Sequence, residues 1–181
     1  MSRTLLAVLL CLALGTATAH ATDNRRLAEI FEADQQARSK EPIDWQAVAA
    51  QDRAHRTEVL SLLRANALRT SNDYFNAAIV FQHGDTADDY LLALSLAQVA
   101  ATLDPDNKPA LWLTAAATDR LLMSRKVPQW YGTQYHKANA DAPIELYPVD
   151  ESVVTDEERA RRNVPSLQEA KARAATMNAS K

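Results

Sequence analysis

A chain of 181 residues, 47% hydrophobic and 24% charged, carries enough apolar material to offset the entropy of a folded chain, so disorder is excluded. One cysteine rules out a disulfide scaffold, and three scattered glycines leave no glycine-rich phosphate loop. A formal charge of −3 without a basic stripe argues against a nucleic-acid partner.

The chain opens with a targeting pattern. Arg3 supplies a positive start, Leu5 to Leu14 an apolar run, and Ala19-His20-Ala21 a small-x-small cleavage site, so residues 1–21 read as a signal peptide. The apolar run is about half the ~20 residues that a bilayer span needs, so no membrane anchor is expected after cleavage. Cys11 follows Leu10 rather than a small residue, which argues against lipidation. Cleavage leaves 160 residues with 19 basic and 23 acidic side chains and no cysteine. Export to the periplasm or the medium is the expected address. Residues 22–165 read as one helical domain, and 166–181 as a C-terminal helix with a frayed tail.

Proline-free stretches and apolar spacing predict mainly α structure. A first helix is expected over 24–39, with Leu27, Ile30, Phe31 and Asp34 on one face. Asp44 suits the N-cap of a second helix, long enough to break near residues 51–54. A third is expected over 73–82. Gly84 then fits a left-handed helix end, and Asp85 or Thr86 the next N-cap. A fourth helix runs to about Leu103 with Leu91, Leu94, Ala97 and Ala101 inward, and a fifth covers 109–124, with Pro109 in its first turn. The stretch from Leu94 through Leu103-Asp104-Pro105 to Leu113 resembles the junction of two tetratricopeptide units, which implies a local helix hairpin. No 34-residue period accompanies it.

After Val127 the texture changes. Residues 129–135 and 144–149 are aromatic and β-branched, so one small β-hairpin is expected near 129–149. As a strand, the first would place Gln129, Tyr131 and Thr133 on one face. The run Asp156 to Arg162 reads as helical ion pairing on a solvated face.

One ordered set of motifs spans nearly the whole exported part. Asp34-Gln35 with Arg38, Gln82-His83-Gly84-Asp85, Asp119-Arg120, Gln129-x-Tyr131-Gly132-Thr133-Gln134 and Arg161-Arg162 resemble an uncharacterised bacterial domain family defined by those steps. Residues 66–70 depart from it where a Gly-aromatic-Pro turn is usual. The resemblance implies kinship and no activity.

Chemically, His83 and Asp85 are the candidate catalytic residues: an imidazole is a base near neutral pH, and a nearby carboxylate orients it. The alternative is that His83 ends the third helix and bonds a backbone carbonyl. Adjacent helix positions lie about 100° apart, so one of Asp119 and Arg120 faces inward. There it would pair structurally, Asp119 with Arg38 or Arg120 with Asp34, or Arg120 would bind a substrate oxyanion. The candidate ligand-binding set is Asp34, Gln35, Arg38, His83, Asp119, Arg120, Gln129, Tyr131 and Gln134, which either wall a pocket or seal the core. No metal ligand pattern is present, and neither metal nor cofactor is expected. Two classes of function follow: a binding module for a protein, peptide or small ligand, or a hydrolase-like enzyme built around His83, Arg120 and Gln134.

Overall fold

The computed structural model describes residues 21–39 and 41–179; the signal-peptide reading, Ala21 apart, lies outside the described residues. Five long helices come first: α1 (Arg25–Ser39), α2 (Trp45–Arg64), α3 (Ser71–Gln82), α4 (Ala87–Leu103) and α5 (Lys108–Ser124). Two short strands, β1 (Tyr135–His136) and β2 (Glu145–Leu146), and two helices, α6 (Asp156–Arg161) and α7 (Leu167–Ala179), complete the domain. The mainly α architecture with one small hairpin is the one the sequence predicts.

Short polar side chains set where the helices begin. Asp44 accepts from the amides of Gln46 and Ala47 at the start of α2, and α2 then runs unbroken, because nothing between Gln51 and Ala54 disfavours helix. Helix α3 starts two residues earlier than expected, since Thr70 and Asp73 form a reciprocal capping box. Thr86 and Asp89 form another at α4, and Asn107 caps α5 with Pro109 in the first turn. Asp73 also receives the amides of Asn24 and Arg69, fastening the start of α1 to that of α3.

Helix α3 packs against α1, α2, α4 and α5. The odd helices touch in the order α1, α3, α5, and α2 and α4 pack on their chain neighbours, as in stacked helix hairpins. Alanines make the close approach between α3, α4 and α5: Ala77 and Ala78, Ala93 and Ala97, Ala116 and Ala117 are all fully buried. The inward face of α4 is Ala93, Leu96, Ala97 and Ala100, rotated from the expected stripe. Of the expected stripe Ala97 is buried and Leu94 packs against the core, whereas Leu91 is 47% exposed, because Ala93, Leu96, Ala97 and Ala100 face the neighbouring helices.

The hairpin is much shorter than expected, two residues per strand, with Tyr135 opposite Leu146. Residues 129–134 are not a strand. They curl around Asp119, and Gln129 only bridges Val149. Helix α7 packs on β2. It stays helical through Ala179, and Asn178 bonds both the N–H and the C=O of Ile144. Among the described residues no helix is long and apolar enough to cross a membrane.

Candidate functional site

Both glycines of the described region serve the site, by different means. Gly84 does not adopt the expected left-handed conformation; Gly132 is the one glycine with positive φ among the described residues, at 82°. A Cβ on Gly84 would instead collide with the Asp89 side chain. That space lets the α4 capping box close directly behind His83, the last residue of the α3 turn.

His83 does end α3, its N–H donating to the Ile79 carbonyl, but its ring turns to a carboxylate instead of a backbone carbonyl. Its Nδ1 lies 2.9 Å from Oδ2 and 3.1 Å from Oδ1 of Asp34 on α1. Asp34 is 1% exposed. Gln35 donates to its Oδ2 at 2.8 Å and Arg38 to its Oδ1 at 2.9 Å, while Arg38 reaches on to Asp52 on α2 at 2.6 Å. Burial pushes the Asp34 carboxyl up, but the His83 hydrogen bond, the charges of His83 and Arg38 and the Gln35 amide outweigh it and hold the group below the ordinary aspartate value. An ionised carboxylate only accepts, so Nδ1 carries a proton in either state of the ring, and whenever the ring is neutral its lone pair lies on Nε2. Nε2 makes no hydrogen bond to any described residue. Asp85 does not orient His83: it is exposed and accepts from Arg56 at 3.0 Å. Arg56 also donates to the His83 carbonyl, so Asp85 steadies the turn and Asp34 orients the ring.

Asp119 and Arg120 divide their work. Asp119 is fully buried and pairs with no cation among the described residues. Its Oδ1 accepts the amides of Trp130 and Tyr131, and its Oδ2 the amide and hydroxyl of Thr133, all at 2.8–2.9 Å. Burial raises its carboxyl above the ordinary value despite the donors at Tyr131, Thr133 and Trp130. Neither ion pair expected from the sequence, Asp119 with Arg38 or Arg120 with Asp34, exists, because backbone amides of the 129–134 loop reach Asp119 first. Positive φ at Gly132 permits the curl. Gln129, fully buried, closes the loop from inside: its amide donates to the carbonyls of Gln134 and Tyr147 and accepts the N–H of Gln134. Arg159, expected on a solvated face, is 3% exposed and donates to the carbonyls of Tyr131 and Trp130. Tyr131 is buried beneath the Arg162 guanidinium, 5.4 Å from its ring centre. Gln129 and Asp119 thus direct their polar groups to the loop itself, and Tyr131 packs beneath Arg162.

Arg120 faces out. Its Nε donates to Oε1 of Gln134 at 3.0 Å, and its guanidinium lies 5.8 Å from the Tyr90 ring centre. Gln134 in turn donates to the Ala116 carbonyl, which also receives the Gln82 amide. Among the described residues no carboxylate lies within ion-pairing distance of Arg120, and its two Nη groups make no hydrogen bond. Arg120, His83 and Arg38 line one cleft of about 420 Å³ with Trp45, Val48, Ala49, Asp52 and Asp85. Trp45 is 63% exposed at the first turn of α2. A second cleft of about 280 Å³ lies on the other side of Arg120, lined by Tyr90, Met123, Ser124, Gln134 and Tyr135.

Of the residues singled out in the sequence, Asp34, Gln35, Arg38, His83, Arg120 and Gln134 thus belong to one connected site at the ends of α1, α3 and α5. Asp52, Arg56, Tyr90 and Arg159 join the arrangement without a motif to mark them; their sequence trace is no more than a charged or aromatic residue within a helix. Among the described residues no group of three or more His, Cys, Asp or Glu side chains is placed to hold a metal ion. No match was found in comparisons with family models, curated proteins and solved structures. The functional reading therefore rests on geometry.

Proposed function

We propose that this chain is an exported binding module, kin to the bacterial domain family its motifs resemble, whose ligand site is the cleft between Trp45, His83 and Arg120. The ligand is a small molecule or a peptide segment with an apolar body and an oxygen acceptor. Nucleic acid, a membrane anchor and a cofactor play no part in this reading. The observation that carries it is Arg120: a guanidinium fixed by Gln134 and Tyr90, with both Nη groups unspent, beside an exposed tryptophan. A guanidinium so placed binds oxygen acceptors in two-pronged fashion, and Trp45 with Val48 supplies apolar surface for the rest of the ligand.

Trp45 also supplies the test. In a Trp112→Phe/Trp130→Phe background its emission reports on the cleft alone. Titration with a panel of capped dipeptides and N-acetyl amino acids should give a saturable change for at least one probe, weakened about tenfold or more by Arg120→Ala, as for loss of a charged hydrogen bond. Saturation that is indifferent to Arg120→Ala, or no saturation across the panel, would reject the cleft as the site. The enzyme reading is favoured by one observation of its own, the Asp34–His83 pair.

A further inference from the structure

We infer that the cleft hydrolyses uncharged carboxylic esters, with His83 as the general base, Asp34 as the residue that positions it, and Arg120 as the oxyanion holder. The inference rests on the binding reading above and adds a reaction to it.

The parts a water-dependent acyl transfer needs are on three helices that end together. A base requires a ring nitrogen with its lone pair exposed and its other nitrogen held; His83 has Nδ1 on a buried carboxylate and Nε2 unbonded in the cleft. The carboxylate that orients it must stay ionised and fixed, and Asp34 is held by Gln35 and Arg38 as well as by His83. An oxyanion needs preorganised donors, which the unspent Nη groups of Arg120 provide.

The charges select the substrate. Asp52 and Asp85 line the cleft beside Arg38 and Arg120, and Asp52 already holds Arg38, so the lining's formal charges balance and a phosphate dianion finds no net attraction on entry, whereas a neutral acyl group needs none and gains its charge only in the transition state. Because Arg120 lines two clefts, a carbonyl held there can place its acyl chain against Trp45 and Val48. Its alcohol then lies in the more polar cleft by Tyr90 and Ser124.

The step balances with water alone. A water molecule gives a proton to Nε2 of His83 as its oxygen bonds the acyl carbon, and the carbonyl π electrons move onto the oxygen beside Arg120. The tetrahedral species then re-forms the C=O bond and breaks the bond to the alkoxy oxygen. That oxygen takes the proton back from Nε2. Ester and water become acid and alcohol, with nothing oxidised or reduced.

The test uses 4-nitrophenyl butyrate as substrate and 4-nitrophenyl butyl ether as its uncleavable counterpart. Wild-type protein should show saturable release of nitrophenol. Asp34→Asn and Arg120→Ala should each lower kcat roughly tenfold or more with circular dichroism unchanged, and His83→Ala should abolish turnover. His136→Ala, in the hairpin, should leave it unchanged and so exclude adventitious imidazole chemistry. If His83→Ala fails to fold, Asp34→Asn and Arg120→Ala decide the matter. Release that is absent, does not saturate, or is indifferent to both of these variants overturns the hydrolytic assignment. Saturable binding of the ether that depends on Arg120, without turnover of the ester, would overturn hydrolysis and leave the binding cleft standing; absence of both would remove the two together.

Discussion

His83 Nδ1 lies 2.9 Å from Asp34 Oδ2, although the two residues are 49 positions apart in the chain. The contact joins the second half of α1 to the end of α3 and sets a buried carboxylate behind His83, which lines an open cleft. Its consequence is a measurable pH dependence. The folded-state value for Asp34 is depressed, so the stability it contributes is complete above the ordinary value of 3.8 and is lost as pH falls through the lower folded value. Wild type should exceed Asp34→Asn in unfolding free energy at pH 7, and the gap should close below about pH 4. Exposed carboxylates such as Glu29 and Glu58 titrate in both proteins and cancel in the difference. A gap that persists unchanged to pH 2 would contradict the pairing.

The two glycines should respond to alanine for different reasons. At Gly132 a Cβ finds ordinary contacts, the nearest 3.5 Å away, but φ is +82°, so Gly132→Ala should cost about 1–2 kcal/mol of backbone strain. At Gly84 the collision with Asp89 is steric, and Gly84→Ala should cost more, about 2–3 kcal/mol, by forcing the α4 cap apart. Urea denaturation of the two variants checks the order.

Arg159 should behave as a core residue despite its charge. It is 3% exposed, and its guanidinium binds three carbonyls, those of Tyr131, Trp130 and Val154, with Asp156 at 3.1 Å. Arg159→Ala should lower stability by about 3 kcal/mol, whereas Arg161→Ala, at an exposed Glu158 pair, should cost less than about 0.5 kcal/mol. Thermal melts of the two variants separate them.

Most of the helical frame is legible in the sequence because its signals are local. Asp44, Thr86 and Asn107 announce helix starts by side-chain hydrogen bonds to the next amides, and Leu27, Ile30 and Asp34 recur at helical spacing on α1. The motif residues around the cleft are legible as a set, though not as partners. The sequence pairs Asp34 with Arg120 and His83 with Asp85, and only the packing of α1 on α3 brings Asp34 to His83. The loop 129–134 departs from the strand its composition predicts because that composition is a local signal, whereas the Asp119 carboxylate, ten residues earlier, is a non-local partner that satisfies three of its amides. Arg159 departs from the predicted solvated face for a related reason: its acidic neighbours are local, but the Tyr131 and Trp130 carbonyls it serves lie nearly thirty residues away.

In the proposed site adjacent residues on α5 have separate duties, Asp119 holding the loop and Arg120 left for a ligand. Equilibrium urea unfolding of Asp119→Ala and Arg120→Ala, without any ligand, tests it most directly. Asp119→Ala strands three amides and a hydroxyl and should lose about 3 kcal/mol or more, while Arg120→Ala, whose partners are a single glutamine oxygen and a ring face, should lose no more than about 1 kcal/mol. Equal losses, or a larger loss at Arg120, would make its guanidinium part of the scaffold and contradict the account.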